Sequence, residues 1–305
     1  MNPITRLLFL AVAVLSCGRS VPIEVLPVEV EPPVATTLED SWVEVRVGAI
    51  GHCTRSRLGR VECEATFPDE ELKRFTVVER GARALTVSGG FGYCGNWLTA
   101  CAVMEDGQVI CVRGGTHACA ERRSEVPTNR AQSISIGAFR GCVLEASGEV
   151  MCGGDMLEEL LPIPGMENSV ALSCGDMACC AVNDPGRVNC LAEGTLHAEP
   201  HPLPSSAVAV SVGASHACAL DAAGVAHCWT LRDEAELPPT PLTSGVAVSA
   251  GGQNTCVLDA RGIVTCGATQ PFDVPLVQME AGVLEVCGID ANAQLHCAPL
   301  PHFYW

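Results

Sequence analysis

The sequence predicts an all-β fold, a seven-bladed β-propeller with one hairpin disulfide in each blade. Three observations carry that expectation. One pattern recurs seven times: an alternating apolar stretch, a glycine, a cysteine, about six residues ending in glycine, and a second cysteine. In every copy the two cysteines are ten residues apart: Cys53 and Cys63, Cys101 and Cys111, Cys142 and Cys152, Cys180 and Cys190, Cys218 and Cys228, Cys256 and Cys266, Cys287 and Cys297. The 305 residues are 48% hydrophobic but only 4% aromatic, and 19 are cysteine, so the cores must be built from small side chains and cross-links.

Composition excludes several function classes. Nineteen thiols are out of place in a reducing cytosol, and 35 acids against 18 bases, a formal charge of −17, repel a phosphate backbone. A cytosolic enzyme and a nucleic-acid binder are both disfavoured. The apolar fraction excludes a disordered chain.

In chain order, Met1 to Arg6 is a short basic start and Leu7 to Leu15 an apolar run. As a helix that run is about 14 Å long, too short for a hydrocarbon core of roughly 30 Å, so it reads as an export signal and not as a membrane span. It ends Val14-Leu15-Ser16-Cys17, which resembles a bacterial lipoprotein signal. The resemblance implies cleavage after residue 16 and a lipidated Cys17 at the mature N-terminus, in the cell envelope. Gly18, where an aspartate would signal retention, implies the outer membrane. Residues 17–38 carry Pro22, Pro27, Pro32 and Pro33 among acids and valines and read as an extended tether. VPIEVLPVEV (21–30) also has the character of an outer strand, which the last repeat lacks, and is the candidate to complete it.

The spacing of ten has a geometric meaning in the repeats (39–305). With Ala222-Ala223-Gly224 as a three-residue loop, Asp221 faces Val225, and counting back along antiparallel strands sets Cys218 opposite Cys228. Opposed Cα atoms at the closer ladder spacing lie about 4.5 Å apart, within disulfide reach. Glycine holds the left-handed loop position in six copies (Gly59, Gly107, Gly148, Gly186, Gly224, Gly262); the seventh has Asn292-Ala293, and its turn is expected to shift. Asp221, Asp259, Asp290, Asn183 and Glu145 enter these turns and read as turn starters. Setting Cys17 aside, eighteen cysteines remain: the fourteen above, Cys94 and Cys119, and Cys174 and Cys179, each couple expected to pair. A ten-residue loop closed by a disulfide contributes about 2 to 3 kcal/mol, offsetting the scarcity of aromatics.

First-cysteine spacings of 48, 41, 38, 38, 38 and 31 leave room for three or four strands per unit, and seven such units closing into a ring make a propeller. Gly213, His216 to Leu220, Gly224 and Cys228-Trp229 resemble the regulator of chromosome condensation repeat in a cysteine-bearing bacterial secreted form. The resemblance spans 43–298. It departs from the family in its short repeats, in placing Trp after the second cysteine only at Trp229, and in lacking a Gly-x-Leu-Gly element. It implies a monomeric binding or scaffold module that recognises a protein partner through a propeller face, without catalysis or cofactor. A secreted enzyme inhibitor is a variant. A carbohydrate-active hydrolase or lyase using rim or channel carboxylates is the alternative, with no residue pair to nominate, and nucleotide exchange conflicts with export and acidity.

Motifs that carry chemistry are thin. Gly90-Phe91-Gly92-Tyr93-Cys94-Gly95 fits a loose dinucleotide fingerprint, but no helix pattern follows it. Ser215-His216 occupies a degenerate repeat position. There is no CxxC, HExxH or EF-hand pattern, and no metal is expected. The irregular second copy is the candidate interaction surface. Its insertions, 91–100 and 114–126, present Phe91, Tyr93, Trp97, Arg122 and Arg123 on loops stapled by Cys94 and Cys119. His302-Phe303-Tyr304-Trp305 is expected to plug the last blade.

Overall fold

The computed structural model describes residues 41–65, 73–92, 95–115, 122–126, 128, 130–232 and 245–300. The signal, Cys17, the tether with its candidate strand, Tyr93, Cys94, Cys119, the Phe91 side chain and the terminal aromatics lie outside the described residues.

The chain is an all-β propeller of seven antiparallel blades, each built from consecutive strands. Blade 1 comprises β1 (Trp42–Val47), β2 (Gly51–Ser56), β3 (Val61–Ala65) and β4 (Lys73–Val78). Blade 2 comprises β5 (Ala82–Gly92), β6 (Gly95–Met104), β7 (Val109–Gly115) and β8 (Arg122–Val126). Blade 3 has β9 (Ala131–Ile136), β10 (Gly141–Glu145), β11 (Val150–Gly153) and β12 (Leu161–Pro162); blade 4 has β13 (Ser169–Cys174), β14 (Ala178–Asn183), β15 (Val188–Ala192) and β16 (Glu199–His201). Among the described residues blades 5 to 7 have three strands each: β17 (Ala207–Val212), β18 (His216–Asp221) and β19 (Ala226–Thr230); β20 (Gly245–Gly251), β21 (Asn254–Asp259) and β22 (Val264–Cys266); β23 (Leu276–Ala281), β24 (Glu285–Asp290) and β25 (Leu295–Pro299).

All seven cysteine pairs face each other in register across the second and third strands, with Cα atoms 4.0–4.1 Å apart, and all are disulfides. Cys174–Cys179 is an eighth, across β13 and β14. The cores lie between blades, and each hairpin disulfide points into the seam toward the following blade. Cys53 and Cys63 pack with Val87 and Leu98 of blade 2, and Cys142 and Cys152 with Cys179 and Leu191 of blade 4. In the seam of blades 5 and 6, Cys218 and Cys228 form one cluster with Ala250 and Val248, beside a second made of Leu220, Ala226 and Val257. The staple thus does the filling that an aromatic ring does in other cores.

The hairpin turns follow the sequence logic. The Asp221 carboxylate accepts from the Ala223 and Val225 N–H groups at 2.9 Å each, and Gly224 takes φ 80°. Asp259 and Asp290 repeat the motif, and Asn183 keeps half of it, accepting from the Arg187 N–H while Pro185 offers none. The seventh turn does not shift, contrary to expectation: Ala293 takes φ 63° in the glycine's place, donating to Asp290 O at 3.0 Å as Gly224 does to Asp221 O. The aspartate contacts hold the turn in place, so the alanine bears the strain. Ala293→Gly should therefore stabilise the protein by about 0.5 to 1 kcal/mol, read as a higher urea midpoint with an unchanged slope.

The same turns set an acid limit. The Val225 N–H, then His227, Ser205 and the Ala223 N–H, hold the Asp221 carboxyl down to about 2 against the opposing effect of burial. A depressed carboxylate stabilises above its unfolded value and loses that contribution as pH falls through the folded one. The stability gap between wild type and Asp221→Asn should accordingly be full at pH 6 and shrink toward pH 2. A gap independent of pH would show that the turn does not depend on the charge.

The first strand of each blade is innermost, with one edge unpaired by any strand. Its backbone donors are met instead by side chains of the preceding blade, at the position opposite the first cysteine. Ser135, Ser173, Ser211 and Ser249 Oγ accept from the N–H of Cys174, Val212, Ala250 and Ala281 at 2.8–3.0 Å, and Thr86 Oγ1 from Ile136 at 3.3 Å. Blade 7 closes on blade 1 differently. Gln278 accepts from the Val45 N–H at 3.0 Å and donates to its carbonyl at 2.9 Å. The hydroxyl position is taken by Glu280 and Arg46, whose Nη1 lies 3.2 Å from Glu280, and Glu44 bridges Arg46 (3.0 Å) and Arg55 (2.7 Å). Burial opposes the Arg46 charge, but Glu280 and Glu44 more than compensate and raise its pKa. Burial pushes Glu280 up, with Arg46 opposing.

Candidate functional site

At one face the innermost strands end in glycines: Gly48, Gly89, Gly137, Gly175, Gly213, Gly251 and Gly282 ring a channel mouth of about 80 Å³. No Cβ fits at most of them. One built on Gly137 would sit 1.9 Å from Gly175 O, and one on Gly175 2.0 Å from Gly213 O, so each blade packs its backbone into the space its neighbour leaves. The ring fixes how closely the blades converge, and hence how the turns just beyond it, which form this face, are spaced.

Two large apolar side chains stand exposed on this face, one in such a turn and one in an outer connection. Phe139, following β9, is 69% exposed, and Leu196, beyond β15, is 71% exposed. Between them lie two cavities. One, about 140 Å³, is lined by Phe139, Arg140, Asp176, Met177, Leu191 and Glu193. The other, about 370 Å³, lies between blades 4 and 5 and includes Leu196, Glu199, Pro200, His201, Trp229 and Leu231. Arg140 donates to Thr195 O at 3.1 Å and ties the two together. Asp176 sits at both the channel mouth and the first cavity, and burial raises its pKa. The strip is apolar in its floor, and its margins carry Asp176, Glu193 and Glu199 together with Arg140 and His197.

The blade 2 insertions differ from the loops expected. Residues 91–92 and 95–100 belong to strands: β5 and β6 pair out to Gly92 and Gly95, and β7 follows to Gly115, so the blade projects beyond the glycine ring as a sheet. Trp97 is only 8% exposed, with the Arg113 guanidinium 4.7 Å from its ring centroid, and it therefore packs into the sheet instead of standing out from it. Arg113 is held by Asp155 of the next blade at 2.5 Å. Arg122 and Arg123 lie on the outermost strand β8, paired with Glu158 (3.1 Å) and donating to Val77 O (3.0 Å). Phe91 and the two arginines are thus at opposite edges of one blade.

The arrangements that resemble catalytic ones do not have catalytic geometry. His227 Nε2 approaches both Asp221 (3.1 Å) and Ser205 Oγ (3.3 Å) with the same nitrogen, so the ring cannot relay a proton between them. His216 is 4% exposed, contacts Thr255 Oγ1 of blade 6 at 2.9 Å, and has its pKa lowered by burial. Among the described residues, His52, Glu285, Cys287 and Cys297, and Cys142, Cys174 and Cys179, have metal-like proximity, but their sulfurs are consumed in disulfides.

No protein-family model and no curated protein matches the chain. Solved structures do. That of human WBSCR16 superposes with TM-score 0.64 at 12% identity, over 86% of this chain and 87% of the other. Prp20p of Saccharomyces cerevisiae, the yeast RCC1, characterised for its binding to Gsp1p and histones, gives 0.60 at 13%, over 79% and 80%. The CRINKLY WD40 ectodomain of the Arabidopsis thaliana receptor kinase ACR4 gives 0.56 at 18%, over 86% and 96%. At these identities the likeness shows the fold alone, an RCC1-type propeller.

Proposed function

We propose that the chain is a protein-binding module of the bacterial cell envelope, anchored through a lipid on Cys17 and working as a monomer without chemistry of its own. The observation that carries this reading is the strip from Phe139 to Leu196, two large apolar side chains standing in solvent beside cavities on a disulfide-braced face. Propeller neighbours that bind proteins, such as Prp20p with Gsp1p, support it by analogy. The blade 2 extension, whose strand β5 carries Phe91, borders the same face and would guide the partner onto it.

The test is quantitative capture from envelope extracts by wild type and by Phe139→Ser with Leu196→Ser. Both exposed residues can be changed without touching a core. Loss of the same partner with the double variant, at unchanged melting temperature, supports the reading, and identical partner lists would overturn it. Labelling with a palmitate analogue should vanish in Cys17→Ala if the anchor is real.

A further inference from the structure

The cavity between blades 4 and 5 has features that narrow its occupant. Its wall includes the Trp229 indole, 2% exposed within the core between blades 4 and 5 and stacked by His201, with centroids 4.0 Å apart and planes at 15°. Leu196, Pro200 and Leu231 provide apolar surface, and Glu199, 78% exposed in its side chain and 3.7 Å from the exposed His197 imidazole, stands at the rim. At about 370 Å³ the space fits a long side chain better than a folded element. Elsewhere in this molecule a tryptophan is covered by an arginine of the chain itself: Arg60 lies 5.4 Å from the Trp42 ring centroid and Arg113 4.7 Å from that of Trp97. Trp229 carries an imidazole and borders a cavity with a carboxylate at its edge.

We infer that this cavity receives a basic side chain, arginine or lysine, of the partner polypeptide. The alkyl stem would pack on the leucines and proline while the charged head stays at the rim beside Glu199, the way long cationic side chains divide between apolar and wet surroundings. Charge favours this occupant over an apolar one. The chain carries 35 acids against 18 bases, so a cationic partner is attracted at long range and held locally. The inference rests on the proposal that this face binds protein, and it names the chemistry the partner must offer.

The probe is a blocked pentapeptide with arginine at its centre, compared with the same peptide bearing citrulline, which has the same shape without the charge, and with leucine. Binding to the full chain is followed by the indole N–H signal of Trp229, assigned through Trp229→Phe. The arginine peptide should shift that signal saturably. Citrulline should bind about fivefold or more weakly, as should arginine to Glu199→Gln, and added salt should weaken the arginine peptide selectively. Equal or tighter binding of citrulline or leucine, indifference to Glu199→Gln, or no shift with arginine would overturn the inference. If Phe139→Ser with Leu196→Ser abolishes partner capture while the arginine peptide fails to bind, the face reading stands and the basic-pocket reading falls. If the peptide binds as expected and capture is unaffected, the reverse holds.

Discussion

Gly137→Ala should destabilise the propeller by about 3 kcal/mol or more, enough to lower the yield of folded protein. The added methyl would lie 1.9 Å from Gly175 O, and because both atoms are tied to backbone, relief requires blades 3 and 4 to move apart. Gly194→Ala is the control. Its φ is +75°, and a Cβ there meets nothing within 4 Å, so only the conformational cost of about 1 kcal/mol applies. Urea melts of the two variants separate steric closure from backbone strain. Equal losses would mean that the glycine ring tolerates a side chain, and that some other feature sets how closely the blades converge.

The paired change Cys218→Ala with Cys228→Ala should cost about 4 kcal/mol. The chain-entropy contribution of a ten-residue loop is about 2.7 kcal/mol, and emptying the buried sulfur positions adds a cavity of about 1 to 2 kcal/mol. The second part applies because the disulfide supplies two of the three buried members of one of the two apolar clusters between blades 5 and 6. Cys218→Val with Cys228→Val should recover the packing share but not the cross-link share. The comparison is a denaturant melt of the three proteins at one pH. If the valine pair is no better than the alanine pair, the disulfide does not act as core filler.

The seven-fold fold was legible because its rule is local. Cysteines ten apart with a glycine at the turn can be counted from residues such as Cys218, Gly224 and Cys228 alone, and they sit in register as counted. The seventh turn misled because Ala293 breaks the glycine rule while Asp290 keeps the turn. The binding strip was not legible, since it joins side chains from different repeats. Phe139 and Met177 occupy corresponding turns, but Ile50 and Leu284 stand at the same position in other copies, so that column alone does not mark the face. Trp97 and Arg113 were the reverse case: an aromatic in an insertion reads as exposed, and only the pairing of β6 with β7 shows that it is covered.

The hydroxyl stitches and the closing latch also differ in how far apart along the chain their partners lie. Ser135 reaches a backbone 39 residues on, whereas Gln278 and Val45 are 233 apart. Joining ends over the longer separation costs roughly 1.5 kcal/mol more in chain entropy. The contacts made there are of another kind, a two-way amide clasp and a four-charge chain. Folding should therefore proceed blade by blade, hairpins oxidising early, with circularisation of the ring as the final and slowest event. A protein trapped before that event would be an open spiral with its blades already formed, and native-state hydrogen exchange should find it as the least costly large opening.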